Sequence, residues 1–298
     1  MAGEGETVVT VTAAALKPYD RFMAAGAHWA SPTDFPQVVG ADGVGRLADG
    51  TRVAFFGPRR PYGGMAERAL VRSGVWFELP DDVDDVTAAA FTNPGMAAWK
   101  TVLREGALAP GQTVLVLGAT GASGRIAAQL AVRHGARVVV AGRDRAVLDR
   151  LLALGAAAAV RVDRPHAELT AALAAEGPYD LVVDYLWGAP AEAALAALAG
   201  TDLHARTGPE RIRYLLVGMA AGEVAGLRAV TLRSAPVRLI GSGTGEQPPF
   251  AEVAAAWTTL VRQAAAGEIL LDVDPVPLAD VEKVWPRASS DRRTVFLP

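Results

Sequence analysis

The sequence predicts an α/β protein: a doubly wound parallel sheet accompanied by a smaller β-rich unit. Three observations predict it. Short apolar runs punctuated by glycine fill the first part of the chain, as in a small irregular barrel or sandwich. From Gly111 onward, near-continuous apolar strands alternate with helical stretches of about ten residues, the pattern of a parallel sheet covered on both faces. At 298 residues the chain exceeds what one core usually holds, so more than one unit is expected. The expected division is a β-rich unit over 1–92, the doubly wound unit over 93–245 and a tail over 246–298. The tail is too small to fold alone and is expected to return to the first unit.

Taken in order, VVTVTAAAL alternates and is strand-like from Val8. VVGADGVGRLADGTRVAFFG carries short strands, with Asp49-Gly50 as a hairpin turn. MAERALV and VWFELP are further short strands. The period then changes: Thr87 to Phe91 and Met96 to Leu103 read as helices, separated by Asn93-Pro94-Gly95. TVLVLG (113–118) is a buried strand, Ser123 to Arg133 a helix with Ile126, Leu130 and Ala131 on one face, and ARVVVAG (136–142) the next strand. Ala146 to Leu154 is helical and is closed by Gly155. AAAVRV, YDLVVDYL and IRYLLVG are strands separated by the helical HAELTAALAAEG and PAEAALAALAG, and VRLIGSG (237–243) is the last strand of the series. The tail holds a helix from Phe250 to Ala266 and the strand-like VDPVPL and RTVFLP.

Composition narrows the function classes. The net charge of −3 argues against a nucleic-acid binder. Hydrophobic residues at 51% supply a large core and exclude a disordered chain. Cysteine is absent, which removes disulfides, thiolate nucleophiles and cysteine-ligated metal sites. The acidic start MAGEGETVV does not read as a signal peptide, and no stretch suits a membrane span, so a cytoplasmic location is expected.

Gly118-Ala119-Thr120-Gly121-Ala122-Ser123-Gly124 joins a strand to a helix. Glycines at 118, 121 and 124 fit a dinucleotide fingerprint: Gly121 lets the backbone approach a pyrophosphate, and Gly124 lets helix and strand pack closely. The plainer alternative is a tight turn in a cofactor-free α/β domain. The second strand ends in Ala141-Gly142-Arg143-Asp144. An NAD site places an acid there for the ribose hydroxyl, whereas an NADP site offers arginine to the 2′-phosphate. Gly142 at the strand end, followed by Arg143, favours NADPH, with Arg145 either assisting or merely solvated. Asp144 could instead turn inward toward a ribose.

These residues, with FPQVVGADGVG, GGMAERALV, LPDDVDDVTAAAF, GMAAWKTV, LAPGQTVLVLGATGASGRIAAQLA, LVVDYLWG, RYLLVG and VPLADVEKVW, make the chain resemble the zinc-independent medium-chain dehydrogenase/reductases, the quinone oxidoreductase and enoyl reductase group. The similarity runs over nearly the whole chain. It implies a GroES-like β-rich catalytic domain, a Rossmann domain and a tail rejoining the first domain. It also implies an NADPH-dependent oxidoreductase that passes a hydride to a quinone or to the C=C of an α,β-unsaturated carbonyl, and a homodimer paired through the edge strand VRLIGSG. Zinc-dependent relatives carry a His-Glu pair where this chain has Gly40-Ala41-Asp42, and a cysteine ligand earlier, so no catalytic zinc is expected. The chain opens at what looks like the group's second strand: either the group's first β-segment is missing, with an exposed sheet edge or a partner's strand expected in its place, or the sequence starts late.

The reduced acceptor develops negative charge on its oxygen, and a donor beside it is useful. The group places such donors after the first strand, in a segment read here as the loop Lys17-Pro18-Tyr19-Asp20-Arg21 to Gly26-Ala27-His28-Trp29. Lys17 stands where many quinone reductases carry asparagine, and His28 near a tyrosine that some relatives use. Lys17, His28 and Tyr19 are therefore the catalytic candidates. Each has a plainer reading: a solvated lysine, a surface or packing histidine, a packing tyrosine. Asp20 is expected to bond local backbone. Trp29, Phe55 and Phe56 are candidate pocket walls, although aromatics in apolar runs are usually core. Further cofactor contacts are expected at the carboxyl ends of the parallel strands: Tyr185, Leu186 and Trp187; Val217, Gly218 and Met219; Gly241 and Ser242. His134, His166 and His204 are expected to be solvated.

Two other classes compete. A short-chain dehydrogenase needs tyrosine with lysine four residues later; Tyr19, Tyr62, Tyr179, Tyr185 and Tyr214 are followed there by Met23, Ala66, Val183, Ala189 and Gly218. A non-catalytic NADPH-binding sensor or structural protein of the same fold is not separated from an enzyme by any residue.

Overall fold

The structure, a computed structural model, describes residues 2–28, 30–199, 211–243, 248–287 and 292–298. Trp29 and His204 lie outside the described residues. In chain order the elements are β1 (Glu6–Ala15), α1 (Pro18–Ala24), β2 (Asp42–Arg46), β3 (Arg52–Phe56), β4 (Arg68–Arg72), β5 (Trp76–Glu78) and α2 (Asp85–Trp99). A π-helical turn, Lys100–Arg104, extends α2. Then come β6 (Thr113–Leu117), α3 (Ala122–Arg133), β7 (Arg137–Gly142), α4 (Arg145–Ala153), β8 (Ala158–Arg161), α5 (His166–Ala175), β9 (Leu181–Asp184), α6 (Gly188–Leu198), β10 (Ile212–Leu216), α7 (Ala229–Ser234) and β11 (Val237–Gly241). The chain closes with α8 (Phe250–Ala265), β12 (Val273–Pro277), α9 (Val281–Val284) and β13 (Arg293–Leu297).

Two compact units result: Met1–Met96 with Pro249–Pro298, and Ala97–Pro248. The first contains a sheet in the order β12-β13-β1-β2-β3-β5, with β4 also pairing β1. Hydrogen bonding between β13 and β1, with Ala14 opposite Phe296, incorporates the tail in this sheet. Val9, Val53, Phe55, Val71 and Phe296 fill its core. The second unit is a parallel sheet in the order β11-β10-β9-β6-β7-β8. Counted from β6, this is the doubly wound order, with the strand order reversing beside β6. Leu115, Leu117, Val139, Val182 and Tyr214 lie in its core, against which α5 and α6 pack Leu169, Leu173 and Leu195.

Two local expectations are corrected. Asn93-Pro94-Gly95 does not separate two helices: α2 runs unbroken through it. Proline removes one backbone hydrogen bond and normally ends a helix, but tertiary packing outweighs that cost here. Ala88, Ala89, Ala90 and Phe91 are buried, the Trp257 indole N–H donates to Thr92 Oγ1 at 3.1 Å, and Gly95 leaves room for Leu260 of α8, which a Cβ at Gly95 would overlap. The segment after Lys17 is also not simply a loop. Pro18 opens α1, and Asp20 in its first turn accepts from the Lys17 backbone N–H at 3.0 Å.

Candidate functional site

In the second unit, the loop after β6 is built on glycine for separate reasons. Gly118 turns the chain at φ +85°, in the left-handed region that favours glycine. The N–H groups of Gly118 and Ala119 both donate to Ala141 O, at 2.8 and 2.9 Å, and tie the loop to β7. A Cβ on Gly124 would overlap Gly118 O, so helix and loop are in direct backbone contact. Gly121 differs: a Cβ there would meet only Gly118 O, at 3.5 Å, leaving its face open. Gly121 is also the N-cap of α3 and no side chain caps that helix. The first N–H groups of α3, at Ala122, Ser123 and Gly124, have no partner within the helix and form a seat for an anion. Arg125, on which the sequence pattern gives no signal, is buried and donates from Nε to Thr120 O at 3.2 Å, bracing the loop.

At the end of β7, a Cβ on Gly142 would overlap the Thr120 side chain, so glycine is what lets Thr120 occupy that place. Arg143 is exposed and makes no ion pair among the described residues. Asp144 does not turn inward to a ribose; its Oδ1 accepts from Val147 N at 3.1 Å and caps α4. Arg145 lies on the exposed face of α4, 3.5 Å from Asp149.

The other strand ends converge at the same carboxyl edge of the sheet. Asp184, which sequence reasoning misses although it is the one charge in LVVD, is fully buried. It accepts from Leu186 N (2.8 Å), Trp187 N (3.0 Å) and the Tyr214 hydroxyl (2.8 Å). Burial pushes its carboxyl above the usual range, while these bonds act in the opposite direction. The network shapes the turn onto which Gly118 packs: a Cβ at Gly118 would come within 3.1 Å of Tyr185 and Leu186. Val217 and Gly218 donate their N–H groups to Asp184 O, at 2.8 and 3.1 Å. Met219 is exposed, and Ser242 is buried and bonded through its N–H to Leu216 O at 2.8 Å. Gly241 is open to solvent. Burial raises the Tyr185 hydroxyl well above its ordinary range, so it stays protonated.

In the first unit, α1 and the segments 32–41 and 57–62 enclose a pocket of about 340 Å³. Tyr19 lines it, with Met23, Phe35, Val38, Arg60 and Tyr62. The His28 ring meets Tyr19 edge-on, centroids 5.0 Å apart. Its Nδ1 accepts from Ala30 N at 3.1 Å, so a neutral His28 carries its proton on Nε2. Lys17 is corrected. Its side chain is buried, and Nζ donates to Ala15 O and Asp42 at 2.8 Å each and lies 3.1 Å from Asp20. An ammonium with three donors has none left for a substrate oxygen. Burial alone would lower its pKa, but Asp42 and then Asp20 outweigh burial and hold it above the ordinary range. Asp20 bonds local backbone as expected, accepting from Lys17 N and Ala41 N at 3.0 Å each. Phe55 and Phe56 are also corrected as pocket walls: Phe55 is fully buried, and Phe56 packs edge-on against Phe77 at 5.4 Å. Among the described residues no three His, Cys, Asp or Glu side chains converge as a metal site would, and no helix is long and apolar enough to cross a membrane.

No family model matches the sequence. The quinone oxidoreductase of Lama guanicoe is 32% identical over 136 residues, covering 43% of this chain and 41% of that protein. A phenolphthiocerol/phthiocerol polyketide synthase of Mycobacterium tuberculosis is 33% identical over 161 residues, 50% of this chain and 7% of the synthase. The match therefore spans less than half the length of these curated relatives. Among solved structures, the quinone oxidoreductase of Thermus thermophilus, whose crystal structures include its complex with NADPH, superposes with a TM-score of 0.79 at 28% identity, covering 100% of this chain and 93% of that one. The fold is thus a Rossmann unit with a β-rich catalytic-type unit, and the resemblance to zinc-independent medium-chain dehydrogenase/reductases holds in sequence and in structure.

Proposed function

We propose that the chain is an NADPH-dependent reductase that delivers a hydride to a quinone or to the C=C bond of an α,β-unsaturated carbonyl, without a metal. The observation that carries this reading is the loop from Gly118 to Gly124: a backbone cradle open at Gly121, at the uncapped start of α3, with Arg143 exposed beyond it. The residues fit the cofactor. The first amides of α3 bond the pyrophosphate. Arg143 reads the 2′-phosphate, and Asp144, spent on capping α4, offers no carboxylate to a 2′-hydroxyl. The ends of β9, β10 and β11, from Tyr185 to Ser242, border the remainder of the dinucleotide. When bound, the reduced nicotinamide supplies the hydride. The pocket on α1 takes the acceptor, and the hydroxyl of Tyr19, whose ring packs edge-on against His28, donates to the oxygen that gains charge. A proton from solvent completes the reduction. The similarity to quinone oxidoreductases supports the acceptor class, and the absence of cysteine, with Asp42 engaged by Lys17, supports metal-free chemistry. We further propose a homodimer paired along β11.

The test titrates NADPH and NADH against the wild type and Arg143→Ala, then follows loss of NADPH absorbance with a quinone and an enone. The wild type is expected to prefer NADPH by about ten- to hundredfold, since a charge-assisted hydrogen bond is worth roughly 1.5–3 kcal/mol, and Arg143→Ala to lose most of that preference. Equal wild-type affinities would overturn the cofactor assignment. Tight NADPH binding with no turnover of either acceptor would point to the sensor class instead.

A further inference from the structure

We propose that the pocket of the first unit selects an acceptor with an apolar, aromatic-sized body and an anionic group, and that Arg60 reads the anion. The assignment of this ligand as substrate rests on the reductase reading; the charge selection rests on the pocket alone.

The first observation is the character of the walls. Phe35, Tyr62, Val38 and Tyr19 all line the pocket, yet they are 62%, 51%, 42% and 37% exposed. Large apolar side chains gathered around one concavity and left open to water mark a site that a ligand covers. Three of the four are aromatic and suit a flat, ring-sized body.

The second observation is charge. Among the described residues, two side chains on the pocket wall carry formal charge, Asp20 and Arg60. Asp20 is 1% exposed, and its oxygens are taken by the Lys17 ammonium, the Lys17 N–H and the Ala41 N–H. Lys17 shares its ammonium between Asp20 and Asp42, and the Arg293 guanidinium acts on the same cluster, so two cations face two buried carboxylates before a ligand arrives. Arg60 is exposed, and its Nη2 donates to Ala30 O at 2.9 Å. That bond orients the guanidinium and leaves the other N–H donors available, and among the described residues no carboxylate pairs with it. The adjacent Arg59 is different, since its Nε lies 2.9 Å from Glu6. The pocket is therefore an apolar cup with one uncompensated cation, suited to a carboxylate or another oxyanion that accepts from a planar donor fork.

The experiment compares benzylideneacetone with its para-carboxylate, an otherwise matched pair. Binding to the full chain is measured calorimetrically with oxidised cofactor in excess, and turnover is measured separately with NADPH. The wild type is expected to bind the carboxylate about tenfold more tightly than the neutral parent. Arg60→Met brings that ratio to about one, Arg60→Lys retains part of it, and Arg59→Met keeps the wild-type ratio. Arg60→Gln, which can still donate to Ala30, gives the same reading if Arg60→Met loses the fold of its loop. A wild-type ratio near one, a ratio that survives in both Arg60→Met and Arg60→Gln, or an equal loss in Arg59→Met would overturn the inference. An intact binding ratio without NADPH oxidation by either compound or by a quinone overturns the reductase reading and leaves the anion site standing.

Discussion

The Lys17 ammonium donates its N–H bonds inside the protein, to Ala15 O, Asp42 and Asp20, while the Tyr19 side chain reaches the pocket. The two residues should fail in different ways. Lys17→Met strands two buried carboxylates, and breaking a buried pair costs about 3–5 kcal/mol of stability. The pH dependence has a definite sign. A lysine whose folded pKa is raised contributes stability that is fully present below its unfolded value and is lost only as pH rises through the raised one. On the alkaline side the Lys17 contribution therefore persists until pH passes the raised lysine value. Tyr19→Phe removes one partly exposed hydroxyl. It should leave stability within about 0.5 kcal/mol and lower turnover by roughly ten- to a hundredfold. Denaturant titration and steady-state rates on both variants check the contrast. A Tyr19→Phe enzyme with wild-type turnover would remove Tyr19 from the chemistry.

The glycine loop and the helix it opens form the element on which the proposed cofactor binding depends, and its glycines are not equivalent. On Gly124→Ala the new Cβ overlaps Gly118 O and lies 2.7 Å from Ala119 Cα, both backbone atoms that cannot turn aside. Overpacking of this kind costs on the order of 1–3 kcal/mol, so this variant should melt earlier and lose NADPH affinity together. On Gly121→Ala the Cβ meets only Gly118 O at 3.5 Å. That variant should keep wild-type stability and lose affinity, because the methyl fills the face proposed for the pyrophosphate. Thermal melts and NADPH titrations of the pair separate packing from binding; equal affinities in Gly121→Ala and wild type would place the pyrophosphate elsewhere. The loop was legible because strand, glycine spacing and helix lie within about twenty residues. The continuity of α2 was not legible, since it depends on Trp257 and Leu260 of α8, far along the chain.

At the scale of the molecule, β11 is an edge strand of the parallel sheet, with Leu239 exposed on it. An apolar edge with unpaired backbone groups is a template for a second strand. Light scattering at micromolar concentration should give a dimer mass, and Leu239→Asp should shift it toward monomer; a monomeric wild type would count against pairing through this edge. The sequence by itself determined the doubly wound unit, the glycine-rich strand–helix loop and the β-rich unit, because each is written in periodicity or in glycine spacing that neighbouring residues carry together, and the return of the tail followed from its small size. Only the tertiary structure decided that Lys17 is an internal ion-pair partner, that Asp144 caps α4, that Phe55 is core, and that Tyr19 and Arg60 share a pocket. Lys17 and Asp42 are 25 residues apart in sequence and 2.8 Å apart at their charged atoms. Which polar side chain faces water and which is consumed inside depends on partners that only folding brings within reach.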